Sequence, residues 1–462
     1  MNYDDKGDVS NAVRFAEMWA GKVMFVPQVG RWYEFVESKH RWCLDEMGLM
    51  TQHSIQTTRQ LILDAAKLLL DAASSGGSEA LKKAAVVEAQ ALVRDATASQ
   101  RKPRLDSMLA LASTDPELAV HKSMLDADSL KMGCKGGVID LKNLVHSEGN
   151  PEDRITMAAS VEFDEKAVCP NWDRFLGEVQ PDPDVREYLQ KFFGYCLTGE
   201  TNEQMFLILQ GGGQNGKSVF SETLKLLFGD YSATTNFSTF AAHSVESIRN
   251  DIARLDKVRL VVAAESDDEI RLDESLMKNV TGGEKITARF LHREFFTFTP
   301  NFKIVLVTNH LPKIRGTDLG IWRRVVLVPW RVTIPESKKD IGFAAKLARE
   351  LPGILNWALE GLKMYRTDGL RLPQALEDAR SVYKTDNDDF DDWFSDCVIF
   401  NEQAKTELIR LVESHRNWAK TLGRTPASDK RIAERLAEMP QLRASKMPAT
   451  KRKAFGGIAI SR

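Results

Sequence analysis

Residues 205–218 read MFLILQGGGQNGKS, and residues 219–229 continue VFSETLKLLFG. A short apolar strand runs into a turn with the spacing Gly211-x-x-x-x-Gly216-Lys217-Ser218, and helical periodicity follows. That order has a chemical reason. Glycines let successive backbone N–H groups approach phosphate oxygens, and the helix N-terminus adds the positive end of its dipole. The stretch therefore predicts that Gly211, Gly212, Gly213, Gln214, Asn215, Gly216, Lys217 and Ser218 bind a nucleoside triphosphate. Lys217 would reach the β- and γ-phosphates, and the Ser218 hydroxyl would ligate Mg²⁺.

Outward from this loop, apolar strands (MFLIL, VRLVVAA, FKIVLVT, VVLVPW) alternate with helices between about residues 204 and 335. This is the pattern of a sheet flanked by helices. VRLVVAAE, residues 258–265, ends in Glu265 and is followed by Ser266, Asp267 and Asp268. Glu265 is placed to hold Mg²⁺ or activate water, with Asp267 or Asp268 able to share the role. FKIVLVTNH ends in Thr308 and Asn309, whose amide would orient the attacking water.

The rest of the chain sets the frame. The 462 residues, 43% hydrophobic and 28% charged, suit a folded protein of two to four domains, and a net charge of -2 means that any nucleic-acid surface is local. The five cysteines are scattered and never spaced as CxxC, which points away from disulfides and zinc. The opening MNYDDKGDVS is acidic, and no apolar run approaches the roughly 18 to 20 residues that span a bilayer, so a cytoplasmic setting is expected. Residues 1–160 are read as a mixed and then mainly helical domain, 161–375 as the core and 376–400 as an acidic linker. Residues 401–462 form a basic module with fourteen Lys/Arg against six Asp/Glu. In that module AKTELIRLVESHRNWAKTLG and SDKRIAERLAEM read as two helices and RASKMPATKRKAFGGIAIS as a two-stranded wing, the order of a winged helix. Arg431, Arg435, Lys446, Lys451, Arg452 and Lys453 are its candidate phosphate contacts, and a helical cap with a solvated face is the alternative.

The stretches CPNWDRFL, GYCLTGE, GGGQNGKS, AAESDD, LMKNVTGGEKITARFLHREFFTFTPNFKIVLVTNHLP, GTDLGIWRRVVLVPW and ELPGILNWALEGL resemble superfamily 3 helicases of the phage and plasmid primase-helicase group. The resemblance covers roughly residues 165–365. It implies an α/β fold with an AAA+-like P-loop ATPase core, a mainly helical N-terminal domain that forms the ring, and a small winged-helix-like C-terminal domain. It further implies ATP and Mg²⁺ as cofactors, Glu265 as the second acidic motif, Asn309 as sensor, and a homo-oligomer, usually a hexamer, in which a neighbour supplies an arginine. Arg323 and Arg324 are the candidates, with Arg324 favoured because the strand VVLVPW follows it directly. The hairpin-like TGGEKITARFLHREFFTFTPNF would enter the ring's channel, where Lys285, His292 and Arg293 hold single-stranded DNA and Arg289 faces DNA or nucleotide. No primase site is read; the pair Asp126 and Asp128 lacks supporting basic residues and is taken as structural. The expected activity is ATP-dependent unwinding of forked DNA in the host cytoplasm during phage or mobile-element replication, with a separate primase as a possible partner. The alternatives are an ATP-regulated origin-binding initiator or loader, and a non-motor protein that keeps nucleotide as a folding cofactor.

Overall fold

The structure is a computed structural model and describes residues 6–461 except 75–77, 243–249, 265–270, 291–294, 315–318, 339, 387–388, 423–425, 448–449 and 451. Its central sheet joins five parallel strands, β1 (Phe206–Gln210), β2 (Ser232–Asn236), β3 (Leu260–Ala264), β4 (Lys303–Thr308) and β5 (Val325–Pro329), in the order β5-β1-β4-β3-β2. The strands β1, β3, β4 and β5 are near-continuous apolar runs because both faces are covered, whereas β2, at the sheet edge, reads Ser-Ala-Thr-Thr-Asn and is partly exposed. Leu207, Leu209, Val262, Val305 and Val328 face helix α1 (Lys217–Phe228) and pack with Phe220, Leu224 and Leu227. Phe206, Ile208, Val261, Ile304 and Leu327 face the other way, toward Phe237, Ile252 and Trp322. Each such fully buried side chain contributes roughly 1.5–3 kcal/mol of transfer free energy.

Behind α1 lie helices Pro170–Val179, Pro183–Leu197 and Leu351–Asp368. The last two cross in near backbone contact, because a Cβ at Gly194 would stand 2.1 Å from the Leu362 nitrogen and one at Gly361 would stand 2.0 Å from the Gln190 carbonyl oxygen. Asp182 caps the second helix, its Oδ1 accepting from the Asp184 N–H at 2.9 Å.

The N-terminal region contains helix Asp8–Trp19, an antiparallel sheet of Val23–Val26, Arg31–Val36 and Arg41–Leu44, helices Leu49–Ser74 and Lys102–Ala112 around Phe15 and Met108, and helix Glu79–Ala98 packed along Leu49–Ser74. A second antiparallel sheet, Lys131–Cys134, Gly137–Asp140 and Val145–Ser147, follows. Its Met132 and Ile139, with neighbouring Leu141, belong to the same core as α1. The division expected at residue 160 therefore runs through a packed unit.

The acidic segment expected as a linker over 376–400 is largely helical, Gln374–Asp386 and Asp389–Cys397. Its acids hide an apolar face: Phe390, Trp393 and Phe394 recur at i, i+3 and i+4 and are buried, while Asp391 and Asp392 are exposed. Those aromatics close the C-terminal core with Leu411, Val412, Ile432, Leu436 and Phe455. This module consists of helices Leu408–Thr421 and Asp429–Glu438 on a sheet of Val398–Glu407, Lys453–Ile460 and Arg443–Lys446, with Lys453–Ile460 central. Among the described residues no helix is long and apolar enough to cross a membrane.

Candidate functional site

The glycine-rich loop leaves β1 at the carboxyl end of the sheet and turns into α1. Gly213 and Gly216 have φ of +95° and +84°, a region that L side chains rarely occupy. Gly216 is doubly constrained, since a Cβ there would lie 2.9 Å from both Phe175 and Val179. Asn215 is buried and binds the loop to β5, its Nδ2 donating to the Trp330 carbonyl at 3.3 Å. Lys217 is only 4% exposed. Its ammonium donates to the Gly211 carbonyl and, at 3.3 Å, to Asn309 Oδ1. The loop lysine and the strand-end asparagine therefore meet. Ser218 is exposed in the first turn of α1.

A cleft of about 800 Å³ opens over this loop. Its floor holds Lys217, Ser218, Thr308 and Asn309, and Ala264, the last residue of β3, reaches the same space. Glu265 follows directly and, with Ser266, Asp267 and Asp268, lies outside the described residues. The opposite wall was not anticipated. Phe175, Val219, Ile334 and Phe343 make it apolar, with the rings of Phe175 and Phe343 5.5 Å apart, and Arg174, Glu178, Glu336 and Asp340 stand at its rim. A hydrogen bond from Lys346 at 2.6 Å holds the Asp340 carboxyl below the usual carboxylate range. The amphipathic spacing of PNWDRFLGEV signals a helix with a buried face. It carries no signal that this face borders a cleft.

The floor is polar and flanked by a helix N-terminus, and the wall is apolar, so the space suits a ligand with an anionic tail and a flat apolar head. Among the described residues no group of three or more His, Cys, Asp or Glu side chains is placed to hold a metal. A Mg²⁺ carried by phosphates needs no such cage, only one or two protein oxygens, and Ser218 beside the end of β3 fits that demand.

Arg323 and Arg324 stand at the opposite end of the sheet. The register pairs Val325 with Phe206 and Pro329 with Gln210, so they precede a strand that runs its full length, roughly 15 Å, before reaching the level of the loop. Arg323 is exposed, whereas Arg324 is 8% exposed and donates to Thr281 Oγ1, the Gly320 carbonyl and Gln204 Oε1.

The expected hairpin forms, with Ile286–Ala288 paired to Phe296–Phe298. Lys285 is exposed beside it, and His292 and Arg293 lie outside the described residues. One face is apolar, Phe290 stacking on Phe296 at 5.6 Å and Phe296 on Phe298 at 5.8 Å. The other face exposes Lys285, Thr287 and Thr297 and also Phe295, which is 61% exposed with the Arg289 guanidinium 4.8 Å from its ring centre. In the basic module, Lys446 and Lys453 are cross-strand neighbours and both exposed. Arg452 is exposed with Glu407 3.9 Å away, Arg431 is partly exposed on its helix, and Lys451 lies outside the described residues. Arg435 differs from the expectation. It is half-buried, paired with Asp391 at 3.0 Å and with its guanidinium 5.1 Å from the Phe390 ring centre, because the helical acidic segment brings both to it. Asp126 is likewise structural, its carboxylate accepting from the Thr156 and Met157 N–H groups while burial raises its pKa.

Residues 12–181 match the family described as "D5 N terminal like", and residues 209–324 match a family of unknown function, DUF5906. The chain is 29% identical over 322 residues to a "Putative helicase" of Acanthamoeba polyphaga mimivirus, covering 64% of this chain and 34% of that protein. It is 24% identical over 328 residues to a "Putative helicase" of Invertebrate iridescent virus 6, covering 62% of this chain and 34% of that protein. The chain thus spans about a third of the length of these curated relatives. The fold is similar along almost its whole length to the A form apo structure of the NrS-1 C terminal region, with a TM-score of 0.51 at 9% identity over 96% of this chain and 99% of that one. A D5-like region ahead of the glycine-loop sheet and viral relatives named as helicases support a kinship with the phage and viral primase-helicase family.

Proposed function

We propose that the chain is an ATP-dependent DNA helicase that works as a ring, usually a hexamer, on single-stranded or forked DNA during viral replication. The observation that carries this is the meeting of Lys217 and Asn309 on the floor of a cleft whose wall is apolar and whose third strand ends beside it. In this reading the triphosphate replaces the Gly211 carbonyl as the partner of Lys217, the adenine lies against Phe175 and Phe343, and Asn309 orients the attacking water. Ser218 and Glu265 would hold a Mg²⁺ ion carried by the phosphates, which would supply charge neutralisation there. The sheet order β5-β1-β4-β3-β2 supports an AAA+-like core, because it sets the loop strand between β5 and the sensor strand.

Arg323 and Arg324 cannot serve their own loop from the far end of β5, so we assign them to the nucleotide of the adjoining subunit, where a fixed guanidinium stabilises charge on the transferred phosphoryl oxygens. Arg324 is the pre-organised member and Arg323 the exposed one. The hairpin and the winged-helix-like module are the DNA surfaces. Lys285, His292 and Arg293 hold phosphates there, Phe295 with Arg289 offers a stacking face, and Lys446, Arg452 and Lys453 contact backbone.

The test is ATP-driven strand separation on a forked duplex, wild type against Lys217→Ala, with tails of either polarity. Separation by wild type alone supports a motor. Hydrolysis that rises with DNA but separates nothing favours an initiator or loader, and full hydrolysis by Lys217→Ala refutes the site.

A further inference from the structure

Besides its bond to the Gly320 carbonyl one turn back, Arg324 is tied to two more distant elements of its own chain. Its Nε donates to Thr281 Oγ1 at 3.1 Å and its Nη2 to Gln204 Oε1 at 3.4 Å. Thr281 is 4% exposed, and its hydroxyl proton goes to the Met277 carbonyl at 2.5 Å, which leaves the oxygen's lone pairs facing the guanidinium. The residue stands at the end of helix Glu274–Gly282, immediately ahead of the hairpin. Gln204 stands in the turn before β1 with φ of 53°, a left-handed conformation that strains a non-glycine residue. Its amide oxygen also accepts from Arg323 Nη2 at 2.9 Å, so one oxygen holds two guanidinium groups side by side against their repulsion.

We infer that Thr281 and Gln204 are positioning residues for the arginine pair. They fix its direction at the subunit edge and connect it to the hairpin on one side and to the loop-bearing strand on the other. The inference rests on the reading that the pair serves a neighbour's nucleotide. A guanidinium drawn to a neighbour's γ-phosphate releases or shares these two bonds, so the nucleotide state of one subunit is passed through a single side chain to the hairpin of the next.

The experiment uses the full chain and measures steady-state ATP hydrolysis with and without single-stranded DNA for Thr281→Val, Thr281→Ser, Gln204→Leu, Arg323→Ala and Arg324→Ala. Valine keeps the volume of threonine and deletes the acceptor. Thr281→Val and Gln204→Leu are expected to lower kcat by about tenfold through lost orientation. They leave KM for ATP within about twofold, since the cleft is untouched, and reduce the ratio of DNA-stimulated to basal turnover. Thr281→Ser restores both. If Arg324→Ala lowers kcat while Thr281→Val keeps wild-type kcat and stimulation, the inference fails alone. If Thr281→Ser is as impaired as Thr281→Val, with a matching loss in melting temperature, the hydroxyl acts only on the fold and the inference fails as well. If both arginine variants keep wild-type kcat, the trans reading fails and the inference goes with it.

Discussion

Three glycines in one loop separate backbone strain from steric contact. At Gly212 an added Cβ meets nothing within 4 Å and the φ is not in the left-handed region. Gly213 is equally open but has φ of +95°, and Gly216 combines φ of +84° with contacts of 2.9 Å to Phe175 and Val179. Forcing an L residue into the left-handed region costs roughly 1–2 kcal/mol. Phe175 and Val179 are buried, so neither gives way freely, and overpacking at such a place costs a further ~1–3 kcal/mol. A loop held in its competent shape only part of the time binds more weakly in proportion. Gly212→Ala is then expected to bind a fluorescent ATP analogue within about twofold of wild type, Gly213→Ala roughly 5- to 30-fold more weakly, and Gly216→Ala at least about 30-fold more weakly. Equilibrium titration of the three variants in parallel provides the ranking. A Gly212→Ala loss as large as that of Gly216→Ala would refute the premise that loop conformation sets the affinity.

Lys303 is buried with its ammonium on the carbonyls of Thr198 and Glu200, and desolvation lowers its pKa from 10.5 to about 7. Because the folded value lies below the unfolded one, the unfolded chain holds the extra proton between about pH 7 and 10. Stability should therefore rise with pH across that window, and Lys303→Met should flatten the rise. Denaturation midpoints at pH 7 and pH 9 check this, and parallel slopes for the two proteins would count against it. Phe295→Ala should weaken single-stranded DNA binding by roughly tenfold, the worth of one stacked base, with the melting temperature unchanged because the ring is 61% exposed. A fluorescence anisotropy titration reads the loss, and an unchanged affinity removes Phe295 from the DNA surface. Gly194→Ala should destabilise the fold by about 1–3 kcal/mol, since a 2.1 Å approach to backbone can be relieved only by moving one helix off the other. Urea denaturation measures it, and a change below about 0.5 kcal/mol would show that the crossing has slack.

The floor of the cleft was legible because its signal is local. A strand, a glycine turn and a helix lie within some two dozen residues, and that spacing alone predicts that the loop, Lys217 and the first turn of the helix share one face. Asn309 was legible for a related reason, as a polar residue ending an apolar strand parallel to the first. The wall was not legible. Phe175 and Phe343 are 168 positions apart and read as ordinary core residues of two helices; only the packing of both around the loop gives them a cleft to line. The acidic segment misled because the run Asp386, Asp388, Asp389, Asp391 and Asp392 outweighs Phe390, Trp393 and Phe394 in a count of charge, although the aromatics carry the helical spacing. The pairing of Arg435 was hidden by the same step, since its partners Asp391 and Phe390 sit in the segment read as a linker.

Arg259 and Lys303 extend this lesson from single residues to the working parts. Each stands beside or at the start of a central strand, β3 or β4, and in sequence each only marks where an apolar run begins. In the fold they reach down to the end of helix Pro183–Leu197, Arg259 to the Leu197 carbonyl and Lys303 to the Thr198 carbonyl, with their side chains over Tyr231 and Tyr195. Cations suit the negative end of a helix, and burial makes both contacts stiff. The two strands whose far ends carry Asn309 and lead to Glu265 are thus pinned at their near ends to one helix. The same segment, residues 198–204, continues to Gln204 and its arginine pair. A displacement of that segment would move the strand that leads to Asn309, the strand that leads toward Glu265 and the arginine pair together, so on the proposed reading the two halves of the site are mechanically linked through one short stretch of chain.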